Sequence, residues 1–264
     1  MLKTDTGYSP RAAILRMEGT NCETEAFQGF VRTGFDPRYV HILELERGKT
    51  RLSEFDLIFI PGGFSAGDYV RAGAIFAARL KASAGKDMNM MDDTGKPVIG
   101  VCNGFQVLVE MGLLPGKLDR PEKTVALTFN SSNRFECRRA FVKLFSDNRM
   151  LKDAFSSKKS WEIPVAHSEG RLVFSDPSVY DELEKNGQIT FKYTDPEGNV
   201  SPYPWNPNGS YGNTAAISNQ AGNVIGLMPH PERIYENYNS MNSGNDVTAG
   251  RAFFESIKKY SLSA

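Results

Sequence analysis

The chain has 264 residues, 40% of them hydrophobic and 11% aromatic, so it can bury a core without disulfide or metal staples. Its 31 Lys and Arg balance 31 Asp and Glu, a net charge of zero that argues against nucleic acid or an anionic membrane as main partner and does little to discourage association. The start MLKTDTGYSP lacks the apolar stretch of a signal peptide, and no apolar run nears the roughly 18 residues that span a bilayer, so a cytoplasmic chain is expected.

In chain order, short apolar runs predict buried strands at Ala12–Met17, Val40–Leu45, Leu57–Ile60 and Val98–Val101, with helices at Thr24–Thr33 and Ala72–Ala82 between them. Lys86–Lys96 reads as a polar surface connection. After Cys102, apolar residues at 105, 107, 108, 109 and 111 predict a helix buried on most of one side, closed by Gly112 and Pro115-Gly116. Strand–helix alternation with near-continuous apolar strands predicts a parallel sheet covered on both faces. Further strands are expected at Arg138–Phe145, Ile189–Tyr193, Thr214–Ser218 and Val224–Met228, as a mixed extension of the sheet. Ser201–Asn213 carries three prolines and two glycines and reads as a long loop of the kind that carries function. With no repeat or clear linker, residues 1–264 read as one domain.

The three cysteines, Cys22, Cys102 and Cys137, are widely spaced with no CxxC pair, which fits neither a disulfide framework nor a zinc site and suits a reducing compartment. Gly100-Val101-Cys102-Asn103-Gly104 lies between a predicted strand and a predicted helix, the arrangement of a nucleophile elbow with cysteine as nucleophile. Such a turn faces the sulfur toward the helix N-terminus, whose dipole favours a thiolate, and frees the Asn103 amide to donate to an oxyanion. A buried structural cysteine between packing glycines is the plainer alternative. Pro61-Gly62-Gly63 follows the strand ending at Ile60 and makes Gly63 N–H a second oxyanion donor, although Pro-Gly-Gly is commonly just a turn. His230-Pro231-Glu232 follows the last predicted strand. A cysteine nucleophile needs a base, and the base needs a group to orient it. Extended backbone around Pro231 would point His230 and Glu232 the same way. The other histidines are His41, within an apolar strand pattern, and His167, whose role is open.

These motifs together resemble class I glutamine amidotransferases, which use a Cys–His–Glu triad. The longer stretches at residues 61–74, 100–116 and 226–233 resemble, within that class, the family of glutaminase subunits of phosphoribosylformylglycinamidine synthase. GTNCE (19–23), NSSNRFECR (130–138), AHSEGR (166–171) and NPNGS (206–210) add to the match, which runs from about residue 11 to the C-terminal region. The resemblance implies a three-layer, flavodoxin-like α/β fold with a mostly parallel sheet and an added antiparallel portion. It implies Cys102 as nucleophile, His230 as acid and base, Glu232 as its orienting group, and Gly63 and Asn103 as oxyanion donors. Gln106, Asn130 and Phe135 match positions that hold the substrate L-glutamine. The implied reaction is hydrolysis to glutamate and ammonia through a γ-glutamyl thioester, with no metal or organic cofactor. The implied partners are a large ATP-dependent synthetase subunit and a third small subunit; the chain has no G-x-x-x-x-G-K-[ST] loop of its own. Arg71, Arg134, Glu169 and Arg171 read as solvated charges, and Cys22 as structural or partner-facing. Ala66 stands where an aromatic residue is expected. A related cysteine peptidase, or a scaffold without activity, is the competing reading.

Overall fold

The structure, a computed structural model, describes residues 8–118, 123–236 and 247–263; most of the N-terminal stretch read above, and the ends of the expected domain, lie outside the described residues. β1 (Arg11–Arg16), α1 (Glu23–Thr33), β2 (Asp36–His41), α2 (Ile42–Glu46), β3 (Leu57–Ile60), α3 (Ala74–Asp93), β4 (Val98–Val101) and α4 (Asn103–Met111) form the first half. β5 (Val125–Thr128), β6 (Glu136–Leu144), α5 (Lys152–Phe155), β7 (Trp161–His167), β8 (Arg171–Phe174), α6 (Pro177–Lys185), β9 (Ile189–Thr194), β10 (Thr214–Ser218), β11 (Val224–Leu227) and α7 (Ala249–Ser261) follow.

Nine of these strands share one sheet in the order β2-β1-β3-β4-β11-β10-β9-β6-β7, while β5 and β8 pair separately. β2, β1, β3, β4 and β11 run parallel, and the pairings from β11 through β10, β9, β6 and β7 are antiparallel. The expected parallel sheet with an antiparallel addition therefore forms. The chain steps one way from β1 to β2 and the other way from β3 to β4, so right-handed crossovers send α1 and α3 to opposite faces. α7 joins α1, and α2 and α4 flank α3. β1, β3, β4 and β11 are almost wholly buried, which explains their unbroken apolar runs. Among the described residues, no helix is long and apolar enough to cross a membrane.

Two expectations are corrected. The strand expected over residues 40–45 ends at His41, because the His41 side chain accepts from Leu43 N (3.2 Å) while Glu44 accepts from His41 N (3.1 Å), a capping box that starts α2. Residues 86–93 of the segment expected as a polar connection over 86–96 are instead the last turns of α3. Met88 and Met91, three residues apart on one side of the helix, are fully buried and hold it down to Asp93.

The parallel register sets the ends of three strands level: Ile60 pairs with Gly100, and Gly100 with Gly226. The segments leaving β3, β4 and β11 thus emerge side by side at the carboxyl edge of the sheet, where open α/β sheets bind ligands.

Candidate active site

Cys102 sits where β4 turns into α4, at φ 52° and ψ −105°, a conformation a residue with a side chain adopts only when its surroundings impose it. They do so here. Cys102 N donates to Leu227 O of β11 (2.8 Å), and α4 packs so tightly that a Cβ on Gly104 would lie 1.9 Å from the carbonyl oxygen of Ile60. The result is the strained elbow that the glycine spacing predicts. α4 starts at Asn103, so the Asn103 amide is one of the helix's unpaired N-terminal donors, beside the Cys102 sulfur. Cys102 is 6% exposed, and its thiol donates to Ala166 O (3.5 Å).

His230 and Glu232 come together, though not in the extended backbone expected of them. Pro231 opens a 3-10 turn through Ile234, and this turn folds the Glu232 carboxylate back to His230 Nδ1 at 2.6 Å. His230 N donates to Pro164 O (2.8 Å), so two β7 carbonyls accept, one from the Cys102 thiol and one from the His230 backbone. Both side chains are almost fully buried, and among the described residues His230 Nε2 and Glu232 Oε2 have no hydrogen-bond partner. Burial opposes a charge on the ring, but the Glu232 carboxylate and then the Cys102 sulfur outweigh it and hold the His230 pKa well above its ordinary value. That is the electrostatic arrangement of an imidazolium poised between a carboxylate and a sulfur.

The Pro-Gly-Gly loop is clamped from the turn after β1. Gly62 O accepts from Asn21 N and Cys22 N, both at 3.3 Å, and Phe64 N donates to Gly19 O (2.8 Å). With its carbonyl held that way, the 62–63 peptide turns Gly63 N–H away from the clamp. Gly63 has φ 150°, and a Cβ there would lie 2.7 Å from Gly19 O, so only glycine fits. GTNCE thus acts on the site through its backbone. The Cys22 side chain is fully buried, which corrects the partner-facing expectation. A Cβ on Gly62 would lie 2.7 Å from His230 Cε1 and 3.3 Å from both Cys102 Cβ and Cys22 Sγ. Arg233 Nη2 donates to the Cys22 sulfur (2.9 Å).

Gln106 is one helical turn beyond Cys102, buried, with Nε2 donating to Glu169 O (2.6 Å) and Oε1 accepting from Asn103 Nδ2 (3.0 Å). Phe135 is half exposed and lies against Phe64 of the Gly-Gly loop, ring centres 6.3 Å apart, so it overhangs the site. Asn130 is different: Nδ2 donates to Arg134 O and His167 O, and Oδ1 accepts from Gly170 N and His167 Nδ1, which uses its full capacity within the protein. It ties the 130–134 loop to the 167–170 turn and has no valence left for a ligand. Glu169, read as solvated, accepts from Ala72 N, and Arg71 grips Glu110 through Nε (2.8 Å). Asp68, at φ 53° beside Asn103, has its carboxyl pushed up to about 6 by burial and the charge of Glu169.

His167 escaped functional reading because its sequence neighbours are ambiguous. Burial, then the charge of nearby His230, lowers its pKa to about 3, so it is a neutral ring whose Nδ1–H bonds Asn130. The long loop over 201–213 reaches the same region. Asn208 Nδ2 donates to Gly170 O (2.7 Å), and Leu172 N donates to Ser210 Oγ (2.9 Å). Asn206 and Asn213 close the loop on itself.

A cysteine on a strained strand–helix elbow, facing a buried histidine–glutamate pair at the carboxyl edge of a doubly wound sheet, defines a triad amidase of the glutamine amidotransferase class. The chain belongs to the CobB/CobQ-like glutamine amidotransferase domain family, whose model matches residues 9–261. Among curated proteins it is similar to the phosphoribosylformylglycinamidine synthase subunit PurQ of Picrophilus torridus, 52% identical over 250 residues that cover 93% of this chain and 96% of that one. The subunit of the same name from Archaeoglobus fulgidus is 42% identical over 263 residues, covering 95% and 96%. Among solved structures, PurLQS from Thermotoga maritima matches with a TM-score of 0.74 and 32% identity, covering 96% of this chain and 99% of the matched chain.

Proposed function

We propose that this chain is the glutaminase subunit of a phosphoribosylformylglycinamidine synthase, hydrolysing L-glutamine and passing ammonia to a synthetase subunit in purine biosynthesis. The observation that carries the chemistry is Cys102 at φ 52° beside a buried His230 bonded to Glu232 at 2.6 Å. The relatives that share almost the full length carry the assignment to this synthase.

In this reading Cys102 Sγ attacks the side-chain amide carbon of glutamine, and the carbonyl oxygen takes the negative charge. Gly63 and Asn103 N–H groups receive that charge; loss of one such donor typically costs about 10²–10³ in rate. His230 gives its Nε2 proton to the leaving nitrogen, releasing ammonia and leaving a γ-glutamyl thioester. Water then attacks the thioester while His230 takes a proton from it, and glutamate leaves. Glu232 keeps the proton on Nδ1, so Nε2 is the nitrogen that works. Gln106 and Phe135 line the glutamine pocket, and Asn130 shapes it by holding two loops together. A third small subunit completes the complex, which works in the cytoplasm as a single-domain glutaminase plus its partners.

Ammonia release from glutamine, measured with and without the synthetase subunit, tests the assignment. Partner-stimulated release that disappears in Cys102→Ala is expected. Release that survives Cys102→Ala, or that the synthetase subunit never stimulates, overturns the nucleophile or the subunit role respectively.

A further inference from the structure

Cys22 has no part in the hydrolysis above, yet its buried sulfur stands at the working histidine. One donor atom each from Cys22, His230 and Glu232 lie within 4.8 Å of one another, all on fully buried residues. Among the described residues, two buried atoms of that cluster, His230 Nε2 and Glu232 Oε2, have no partner at hydrogen-bond geometry, and the sulfurs of Cys102 and Cys22 both act on the ring. Cys102 is a neighbour of the cluster, since a Cβ built on Gly62 would lie 3.3 Å from its Cβ and from Cys22 Sγ alike. Sulfur, imidazole nitrogen and carboxylate oxygen at this spacing form the mixed donor set preferred by zinc and its soft divalent congeners, which take thiolate and imidazole ligands. A solvent cleft of about 230 Å³ lies between α1 and the turn after β11, lined by Glu25, Glu232, Arg233 and Glu236; the Glu232 carboxylate itself is buried beneath it.

We propose that Cys22, His230 and Glu232 form an inhibitory binding site for a soft divalent cation of the zinc class, beneath this cleft and adjoining the nucleophile Cys102. Binding replaces the proton of the Cys22 thiol and any proton on the coordinating His230 nitrogen, and these leave to solvent with no redox change. It also takes the acid–base group out of service, so the occupied enzyme cannot release ammonia. Arg233 is the built-in competitor. Its guanidinium already donates to the Cys22 sulfur and must swing into the cleft it lines before a cation can sit there.

The full chain is titrated with Co²⁺, whose thiolate charge-transfer absorption reports a cobalt–sulfur bond, and with Zn²⁺, whose inhibition of the glutaminase is read in the presence of the synthetase subunit. One cobalt per chain is expected, with the band retained in Cys102→Ala and binding weakened at least about tenfold in Cys22→Ala. Arg233→Gln is expected to tighten binding, and it serves as the second variant if Cys22→Ala folds poorly. Zinc inhibition should reverse with chelator and weaken in Cys22→Ala in step with cobalt binding. The proposal is overturned if the band is lost in Cys102→Ala but unchanged in Cys22→Ala, if Arg233→Gln weakens binding, or if no stoichiometric band forms. Cobalt binding is read without turnover, so its failure leaves the glutaminase assignment standing, and failure of that assignment leaves the metal readout interpretable.

Discussion

The parallel half of the sheet and the antiparallel half build the same site by different means. β3, β4 and β11 act through backbone: level strand ends, an imposed φ at Cys102, and contacts so close that a Cβ on Gly104 would meet Ile60 at 1.9 Å. Apart from the two backbone acceptors of β7, the antiparallel side acts through side chains. Asn130, His167, Asn208 and Ser210, spread over 81 residues of sequence (130 to 210), bond one another's loops into one unit. One half makes a geometry that no side chain need hold, and the other a surface that several must hold together. The two halves therefore break differently.

The largest effect expected falls where the halves meet. His230→Ala should lower kcat by about 10³-fold or more with a smaller change in the glutamine KM, because general acid–base catalysis is lost while the pocket stays. A pure KM effect would place His230 in binding only. Gly104→Ala comes next, since the methyl must displace the Ile60 carbonyl. It should cost about 3 kcal/mol of stability, at the upper end for overpacking, visible as a large drop in Tm. A variant of unchanged Tm would mean that the elbow is looser than its contacts imply.

On the antiparallel side, Asn208→Ala removes the short bond to Gly170 O and the acceptor of Ser210 N and Oγ, and a loss of about 2 kcal/mol is expected. Glutamine KM should rise with it while Cys102 keeps its reactivity toward a small alkylating agent. Equal loss of both would erase the distinction between the halves. The smallest effect is a pH dependence. His167 is held neutral with its pKa lowered to about 3 against an ordinary 6.5. Its contribution to stability is complete above the unfolded value and is lost as pH falls through 6.5 toward 3, reaching about 2 kcal/mol by about pH 5. His167→Gln keeps a donor for Asn130 and cannot protonate, so its Tm should fall less between neutral and acid pH than that of the parent chain. Parallel curves would contradict the buried neutral ring.

The same contrast explains what the sequence made legible. The strands LIFI and VIGV, the helix after Cys102 and the elbow itself carry their signals within a few residues, because glycine spacing and unbroken apolar runs are local consequences of a parallel, doubly covered sheet. His230 and Glu232 were legible as a pair, although a 3-10 turn joins them in place of extended backbone. β7, which supplies acceptors to both Cys102 and His230, had no such signal, since its pattern WEIPVAH contains a proline and lies at a sheet edge. α2 was hidden because a histidine side chain caps it. Cys22 could not be placed from spacing alone: it sits 80 residues before Cys102 and 208 before His230 (102 − 22 and 230 − 22), and only the parallel crossover brings its sulfur to the histidine. Asn130 was read as a ligand contact from its motif, but its hydrogen bonds all return to the protein.

The central claim is that Cys102, activated by His230, is the sulfur that glutamine meets. Its most direct test is to treat the chain with a glutamine-like chloroketone and locate the label by peptide mass spectrometry. One label per chain on Cys102, blocked by glutamine and slowed strongly in His230→Ala, is the predicted result. A glutamine-protected label on Cys22 or Cys137, or a labelling rate indifferent to His230, would contradict it.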